Sequence, residues 1–296
     1  LTAEQVQELT CLLEKPPIKE NKEFLLNLFR NRIPPGVDQA AYVKAAWLNS
    51  VAQGDIEAKL ISPIEATQLL GTMVGGYYVS ALIEILKHSN EKLAKCAAEN
   101  LSQIVLVYDA VNELLELSQK NDFAKLVIES WAHAEWFKSK PKLAEEITVT
   151  VFKVDGETNT DDLSPATHAT TRPDIPLHAL AMLESRIPDG LEQIAQLKKK
   201  GHPIAYVGDV VGTGSSRKSA INSVLWYIGK DIPFIPNKRS GGVILGGKIA
   251  PIFFNTAEDS GALPIECDVS QLRNGDVIII RPYEGTIKKA SNRSEE

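Results

Sequence analysis

The chain of 296 residues is long enough for two ordinary domains. With 44% hydrophobic and 24% charged residues it reads as soluble and globular, and its net charge of -6 argues against nucleic acid or an anionic membrane as a default partner. No apolar run approaches the ~20 residues of a membrane span, and the start lacks the charged-then-apolar form of a secretory signal.

From residue 1 to about residue 145 the pattern is helix after helix. Asp38 predicts an N-cap for a segment running to Gln53, with Gly54 as its stop. Within it Ala41, Ala45, Leu48 and Ala52 fall on one face at helical spacing. Ser62-Pro63-Ile64-Glu65 has the form of a capping box with proline at the first helical position, and it opens a helix to Leu70. Met73-Val74-Gly75-Gly76-Tyr77-Tyr78 reads as an interhelical turn, with a functional loop as the alternative. Asn90 begins another helix whose stripe is Leu93, Ala97, Leu101 and Ile104, and further pieces cover 110–119 and 122–137. Short loops between such helices imply stacked antiparallel pairs, and roughly three pairs of ~40 residues each would make a HEAT-like solenoid. No sharp internal repeat is visible, so an irregular helical bundle stands beside that reading. Trp131, Trp136 and Phe137 are expected to pack the end of this part against the next.

After Lys140-Pro141 the pattern changes. Residues 147–152 alternate β-branched and polar side chains as a half-buried strand does. Later strands are predicted at 204–207, 243–245, 263–265 and 277–280, with helices at 176–183, 191–200 and 216–227. Strands alternating with helices make an α/β layer. The boundary falls near 142–147, giving domains at 1–145 and 146–296. Residues 288–296 are polar and patternless and read as a frayed end or surface tail. The second domain is therefore expected to be incomplete there, and the start at Leu1 suggests that the true N-terminus is missing.

The most informative stretch is Gly208-Asp209-Val210-Val211-Gly212-Thr213-Gly214-Ser215-Ser216-Arg217-Lys218-Ser219. Strand, glycine loop and helix start in that order aim backbone N–H groups and the positive end of a helix dipole at one point. Two serines and an arginine stand at the same point, as binding of a carboxylate or phosphate requires. A Walker loop is excluded because Arg217, not glycine, precedes Lys218-Ser219. The dinucleotide fingerprint fails because its third glycine position is also Arg217. No G-x-S-x-G elbow is present. The bland alternative is a turn that merely joins strand to helix.

The cysteines, Cys11, Cys96 and Cys267, are far apart, odd in number and without a C-x-x-C, so neither a zinc site nor a self-contained iron–sulfur site is readable. Each lies among apolar neighbours and is expected to be a buried inert thiol in a reducing cytoplasm. His178 and His202 read as satisfied core or surface groups rather than ligands. The basic turn Asn237-Lys238-Arg239-Ser240-Gly241-Gly242 is as readily a solvated loop as part of a cleft.

Four segments of the second half together resemble the swivel domain of the aconitase family, most closely its bacterial B branch. They are Thr158-Asn159-Thr160-Asp161-Asp162-Leu163-Ser164-Pro165-Ala166, Arg172-Pro173-Asp174-Ile175-Pro176-Leu177-His178, the Gly-Ser-Ser-Arg loop, and Lys248-Ile249-Ala250-Pro251-Ile252-Phe253-Phe254-Asn255-Thr256 running on to Gly261-Ala262-Leu263-Pro264. Arg32-Ile33-Pro34-Pro35-Gly36-Val37 and residues 71–77 resemble the HEAT-like domain that precedes the swivel domain in that branch. The resemblance covers nearly all of this chain but about the first third of a full-length member.

It implies an all-α HEAT-like domain followed by an α/β (β/β/α) swivel domain. It also implies a hydro-lyase that interconverts citrate and isocitrate through cis-aconitate on a 4Fe-4S cluster. The cluster is expected in the C-terminal domains beyond this sequence, with no cofactor or metal held by this chain. By position, Ser215 matches the family's catalytic base, Ser216 and Arg217 its substrate-binding pair, and Arg172 a further carboxylate-binding arginine. Asp161, with Thr160 beside it, matches a supporting aspartate. The family often has histidine where Asp162 stands, so no role is carried to Asp162. Expected partners are the cluster-bearing domains, with self-association through the helical domain and RNA left open. The fragment alone is expected to be inactive. Two alternatives remain: an interaction module built on the solenoid, and the small subunit of an isopropylmalate-type isomerase, which lacks a helical front half.

Overall fold

The computed structural model describes residues 1–16, 21–76 and 78–290. The chain divides into two compact units, Leu1–Lys142 and Leu143–Glu296. No helix among the described residues is long and apolar enough to cross a membrane.

The first unit is helical: α1 (Ala3–Leu13), α2 (Lys22–Asn31), α3 (Gln39–Gln53), α4 (Pro63–Gly71), α5 (Val79–Leu86), α6 (Glu91–Ser102), α7 (Tyr108–Ser118), α8 (Asp122–Ala132) and α9 (Glu135–Lys138). Helix α3 is bounded by local chemistry. Asp38 Oδ1 accepts from the Ala40 amide at 2.7 Å, and Gly54 closes the other end at φ 86°. Its stripe of Ala41, Ala45, Leu48 and Ala52 is buried. Sequence neighbours pair as α3/α4, α5/α6 and α7/α8, while α4, α6 and α8 pack in succession. Phe29 meets Trp47 edge-on at 5.2 Å in this core.

Several local expectations change. Ser62 Oγ accepts from the Glu65 amide, but the Glu65 carboxylate pairs with Arg30 instead of reaching back, so only half of the capping box forms. Ile104 lies past the end of α6 and packs partly buried against the core. The segment 122–137 is broken at Ala134, whose φ of 52° separates α8 from α9. The turn at 73–78 includes Tyr77, which lies outside the described residues. Cys11 is exposed and Cys267 half-buried; among the cysteines only Cys96 is fully buried.

The second unit comprises β1 (Ile147–Asn159), α10 (Thr160–Leu163), α11 (Ile175–Ala179), α12 (Gly190–Lys198), β2 (Ile204–Thr213), α13 (Arg217–Ile228), β3 (Lys230–Ile232), β4 (Ile235–Ser240), β5 (Val243–Ile249), α14 (Pro251–Asp259), β6 (Leu263–Glu266), β7 (Val277–Arg281) and β8 (Thr286–Lys289). A mixed sheet runs in the order β6-β5-β2-β1-β7-β8, with β3 and β4 forming a separate hairpin. Strands β1, β2, β5 and β6 are parallel to one another, whereas β7 pairs antiparallel with both β1 and β8.

Both sheet faces are apolar because the strand period is two. Phe152, Val154, Ile204 and Tyr206 face the helices, while Val149, Val151, Ala205 and Val207 pack with Val269 and Leu272. Lys288 and Lys289, expected in a tail, pair with Ile279 and Ile278 on the edge strand β8; residues 291–296 lie outside the described part. The basic turn from Asn237 falls on strand β4, and the helix expected at 176–183 is the shorter α11.

Candidate anion-binding site

Three helices begin where parallel strands end. Strand β1 hands over to α10, β2 to α13 through Gly214-Ser215-Ser216, and β5 to α14 through Ala250. The carboxyl edge of parallel strands is where open α/β sheets bind ligands. The glycine stretch is mostly strand: 208–213 belong to β2, and only Gly214, Ser215 and Ser216 bridge to α13.

Two glycines set this bridge. Gly212 has φ 80°, and a Cβ there would stand 2.1 Å from the Phe253 ring. Gly214 has φ 103°, and its Cβ would stand 2.4 Å from Thr160 Oγ1. Both therefore combine a left-handed backbone with close packing that a side chain forbids. Behind them, β1 and β2 lose regular register between Val154 and Glu157. The Gly156 amide donates to Asp209 there at 2.7 Å, and with Lys153 it holds the Asp209 carboxyl below the usual carboxylate range.

Ser215, Ser216, Arg217, Lys218, Ser219, Ile252 and Thr256 line an open cavity of about 470 Å³, within the size range of small-molecule sites. Ser215 is exposed, and its carbonyl accepts from the Arg217 amide at 2.9 Å. The Ser216 amide donates to Thr160 Oγ1 at 3.3 Å. Ser216 makes no side-chain cap, so the first turn of α13 keeps donors for an anion. The lining carries two cationic side chains and no carboxylate among the described residues.

The structure thus brings together Ser215, Ser216 and Arg217, with Thr160 behind them. Asp161 is exposed outside the lining, and its amide donates to Asn159 Oδ1, which caps α10. Arg172 is not in the lining either. It is half-buried, and its Nη1 is buried with no hydrogen-bond partner among the described residues. Asp162 has a structural part: it accepts from the Asn159 amide at 2.9 Å and pairs with Arg186. Sequence reasoning missed Lys218, Ser219, Ile252 and Thr256 as lining. Ser219 was accessible in principle, since it falls in the first turn of the helix predicted to start at Ser216.

An α/β domain with this candidate anion-binding edge, joined to a helical unit, defines the class. Residues 1–137 match the family profile described as the aconitate B N-terminal domain, and residues 149–295 match that of the aconitate hydratase 2 N-terminus. The chain belongs to the aconitate hydratase B family and carries its N-terminal domains. It is 67% identical over 287 residues to aconitate hydratase B of Synechocystis sp. and 59% identical over 299 residues to that of Salmonella typhimurium, with 97% of the chain aligned in each case. It spans about a third of the length of these relatives, 33% and 34%. Among solved structures, a 3-isopropylmalate dehydratase of Methanocaldococcus jannaschii is similar at 18% identity and a TM-score of 0.35, covering 50% of this chain and 84% of that one, too low a score to carry an argument.

Proposed function

We propose that this chain supplies the base and carboxylate-binding side of an aconitate hydratase that interconverts citrate and isocitrate through cis-aconitate. The observation that carries the reading is the exposed Ser215 hydroxyl beside Arg217 and the uncapped start of α13 in one cavity. In this reading Ser215 removes the proton from the substrate carbon, and hydroxide leaves the adjacent carbon to give the alkene. Readdition of water in the other sense gives the isomer. Ser216 and Arg217 hold one carboxylate, the guanidinium bidentately. Arg172 takes another by its match to the family's carboxylate-binding arginine, although it stands outside the cavity lining and its Nη1 is buried. Thr160 fixes the Ser216 amide, and Asp161 supports the turn before it.

The described residues offer no ready seat for an iron–sulfur cluster. Among the described residues no group of three or more His, Cys, Asp or Glu side chains stands close enough to hold a metal ion. Burial raises the pKa of the Cys96 and Cys267 thiols, which disfavours the thiolate a cluster needs. The 4Fe-4S cluster is assigned in this reading to C-terminal domains, the chain's proposed partners. The two units are taken as domains 1–145 and 146–296, the first a HEAT-like solenoid; the succession of α4, α6 and α8 supports that architecture.

The test is Ser215→Ala in the full-length enzyme. The kcat should fall by at least about a hundredfold, the contribution typical of a general base, with KM for citrate nearly unchanged. A raised KM at undiminished kcat would make Ser215 a binding residue only.

A further inference from the structure

His178 is a buried imidazole that the proposed reaction leaves unused, and a chain of hydrogen bonds through it runs from the Arg172 backbone to Ser219, on the same first turn of α13 as Arg217. His178 Nδ1 stands 3.2 Å from the Arg172 carbonyl oxygen, and Nε2 stands 2.9 Å from Ser164 Oγ. Ser164 Oγ is in short contact with Ser219 Oγ, and Ser219 lines the cavity beside Arg217. His178 is 9% exposed and Ser164 2%, so their mutual hydrogen bond is shielded from water.

The proton directions follow from the acceptors. A carbonyl oxygen only accepts, so Nδ1 carries the proton. In the neutral ring Nε2 is then bare and accepts from the Ser164 hydroxyl. With that proton spent, the contact between the serines requires Ser219 to donate to Ser164. All three donors point the same way, away from the cavity. Ser219 therefore has its proton committed to Ser164 and keeps its lone pairs on the cavity side, where it lines the site with the hydroxyls of Ser215, Ser216 and Thr256. The bonds also span three elements: Ser164 ends α10, His178 lies on α11, and Ser219 sits in the first turn of α13.

We propose that His178 is a positioning residue that couples the Arg172 arm to the start of α13 through Ser164 and Ser219, so that both arginines hold their places for one polycarboxylate. The proposal rests on the functional reading above for its ligand, but not for its geometry. The test uses the 296-residue chain with 15N-labelled histidine and arginine, and citrate as probe. The His178 ring should show a protonated Nδ1 and a bare Nε2. Ser219→Ala should shift the Arg172 side-chain resonance although the two residues do not adjoin in sequence.

His178→Asn retains a donor for the Arg172 carbonyl and drops the Nε2 acceptor, whereas His178→Gln does the reverse. Each should weaken citrate binding by about two- to tenfold, the worth of one hydrogen bond. Ser219→Ala combined with His178→Asn should be no weaker than His178→Asn alone, since both cut one chain. A ring protonated at Nε2, additive losses, or an Arg172 resonance indifferent to Ser219→Ala overturns the proposal. If the unaltered chain does not bind citrate, the functional reading fails, while the ring protonation and the Arg172 resonance still decide the coupling.

Discussion

Lys44 places an ammonium inside the helical unit, 3% exposed, with no carboxylate within salt-bridge distance among the described residues. Among the described residues it stands over the Phe29 ring, 5.1 Å from Nζ to the centroid, a favourable contact. Burial pushes its pKa down to about 8 from 10.5, so charging it in the folded state opposes folding. The unfolded chain binds this proton more tightly, and stability therefore rises as pH passes from about 8 toward 10.5. Below that window the penalty is complete, about 3 kcal/mol from the shift, less about 1 kcal/mol for the cation–π contact. Lys44→Met should stabilise the helical unit by about 2 kcal/mol at pH 7 and lose that advantage above pH 10.5. Urea unfolding of both proteins at the two pH values measures the difference. An equal gain at both would mean that packing, not charge, sets it. The same scale explains what the sequence hides around the site. Ser215, Ser216 and Arg217 are chain neighbours and legible together. Ser164 meets His178 across 14 positions and Ser219 across 55, contacts that only the fold creates.

Between β2 and α13 the controlling fact is that Gly214 packs on Thr160, whose hydroxyl takes the Ser216 amide. A methyl at Gly214 meets that hydroxyl and also imposes a strained φ, whereas one at Gly212 meets the buried Phe253 ring. The two glycines should therefore fail differently. Gly214→Ala should cost about 1–2 kcal/mol of stability from the backbone. It should weaken citrate by more than tenfold, because Thr160 and the Ser216 amide must part. Gly212→Ala should cost more stability, as overpacking of a core does, by about 2–4 kcal/mol with the backbone strain added. Paired denaturation and calorimetric titration separate the effects; similar losses of both kinds in both variants would refute the division. Helices such as α3 were readable because their caps are local: Asp38 and Gly54 bound the segment they belong to. Strand β2 was read four residues long because Gly208 and Gly212 weaken strand propensity. Between two partners, Val210 and Val211 pair with Lys248 and Ile249, and the strand continues to Thr213. Pairing across the sheet overrides what the local sequence prefers.

For the molecule as a whole, the question is whether 296 residues suffice for turnover. A serine base must reach the alkoxide, and its pKa lies above the ~10 of tyrosine, so bringing it near neutrality takes more than about 3 units, at least ~4 kcal/mol. The start of a helix supplies about 0.3–1 kcal/mol, and about 2 at most in a partly buried geometry. Here the N-terminus of α13 opens into a cleft where Ser215 is exposed, so water screens its dipole and the neighbouring Arg217. The deficit of about 2 kcal/mol or more is of the size that desolvation can meet, when further protein closes on the cavity and strengthens every charge interaction inside it. The chain alone should therefore bind citrate weakly, at millimolar concentrations, and show no isomerisation or release of cis-aconitate. Absorbance of the alkene in the ultraviolet, followed with purified chain free of longer protein, measures this directly. Adding the cluster-bearing domains as a separate polypeptide should restore turnover to the wild-type chain and not to Ser215→Ala. Turnover by the chain alone would mean that the exposed loop is already a sufficient base, and that closure over it contributes nothing to the chemistry.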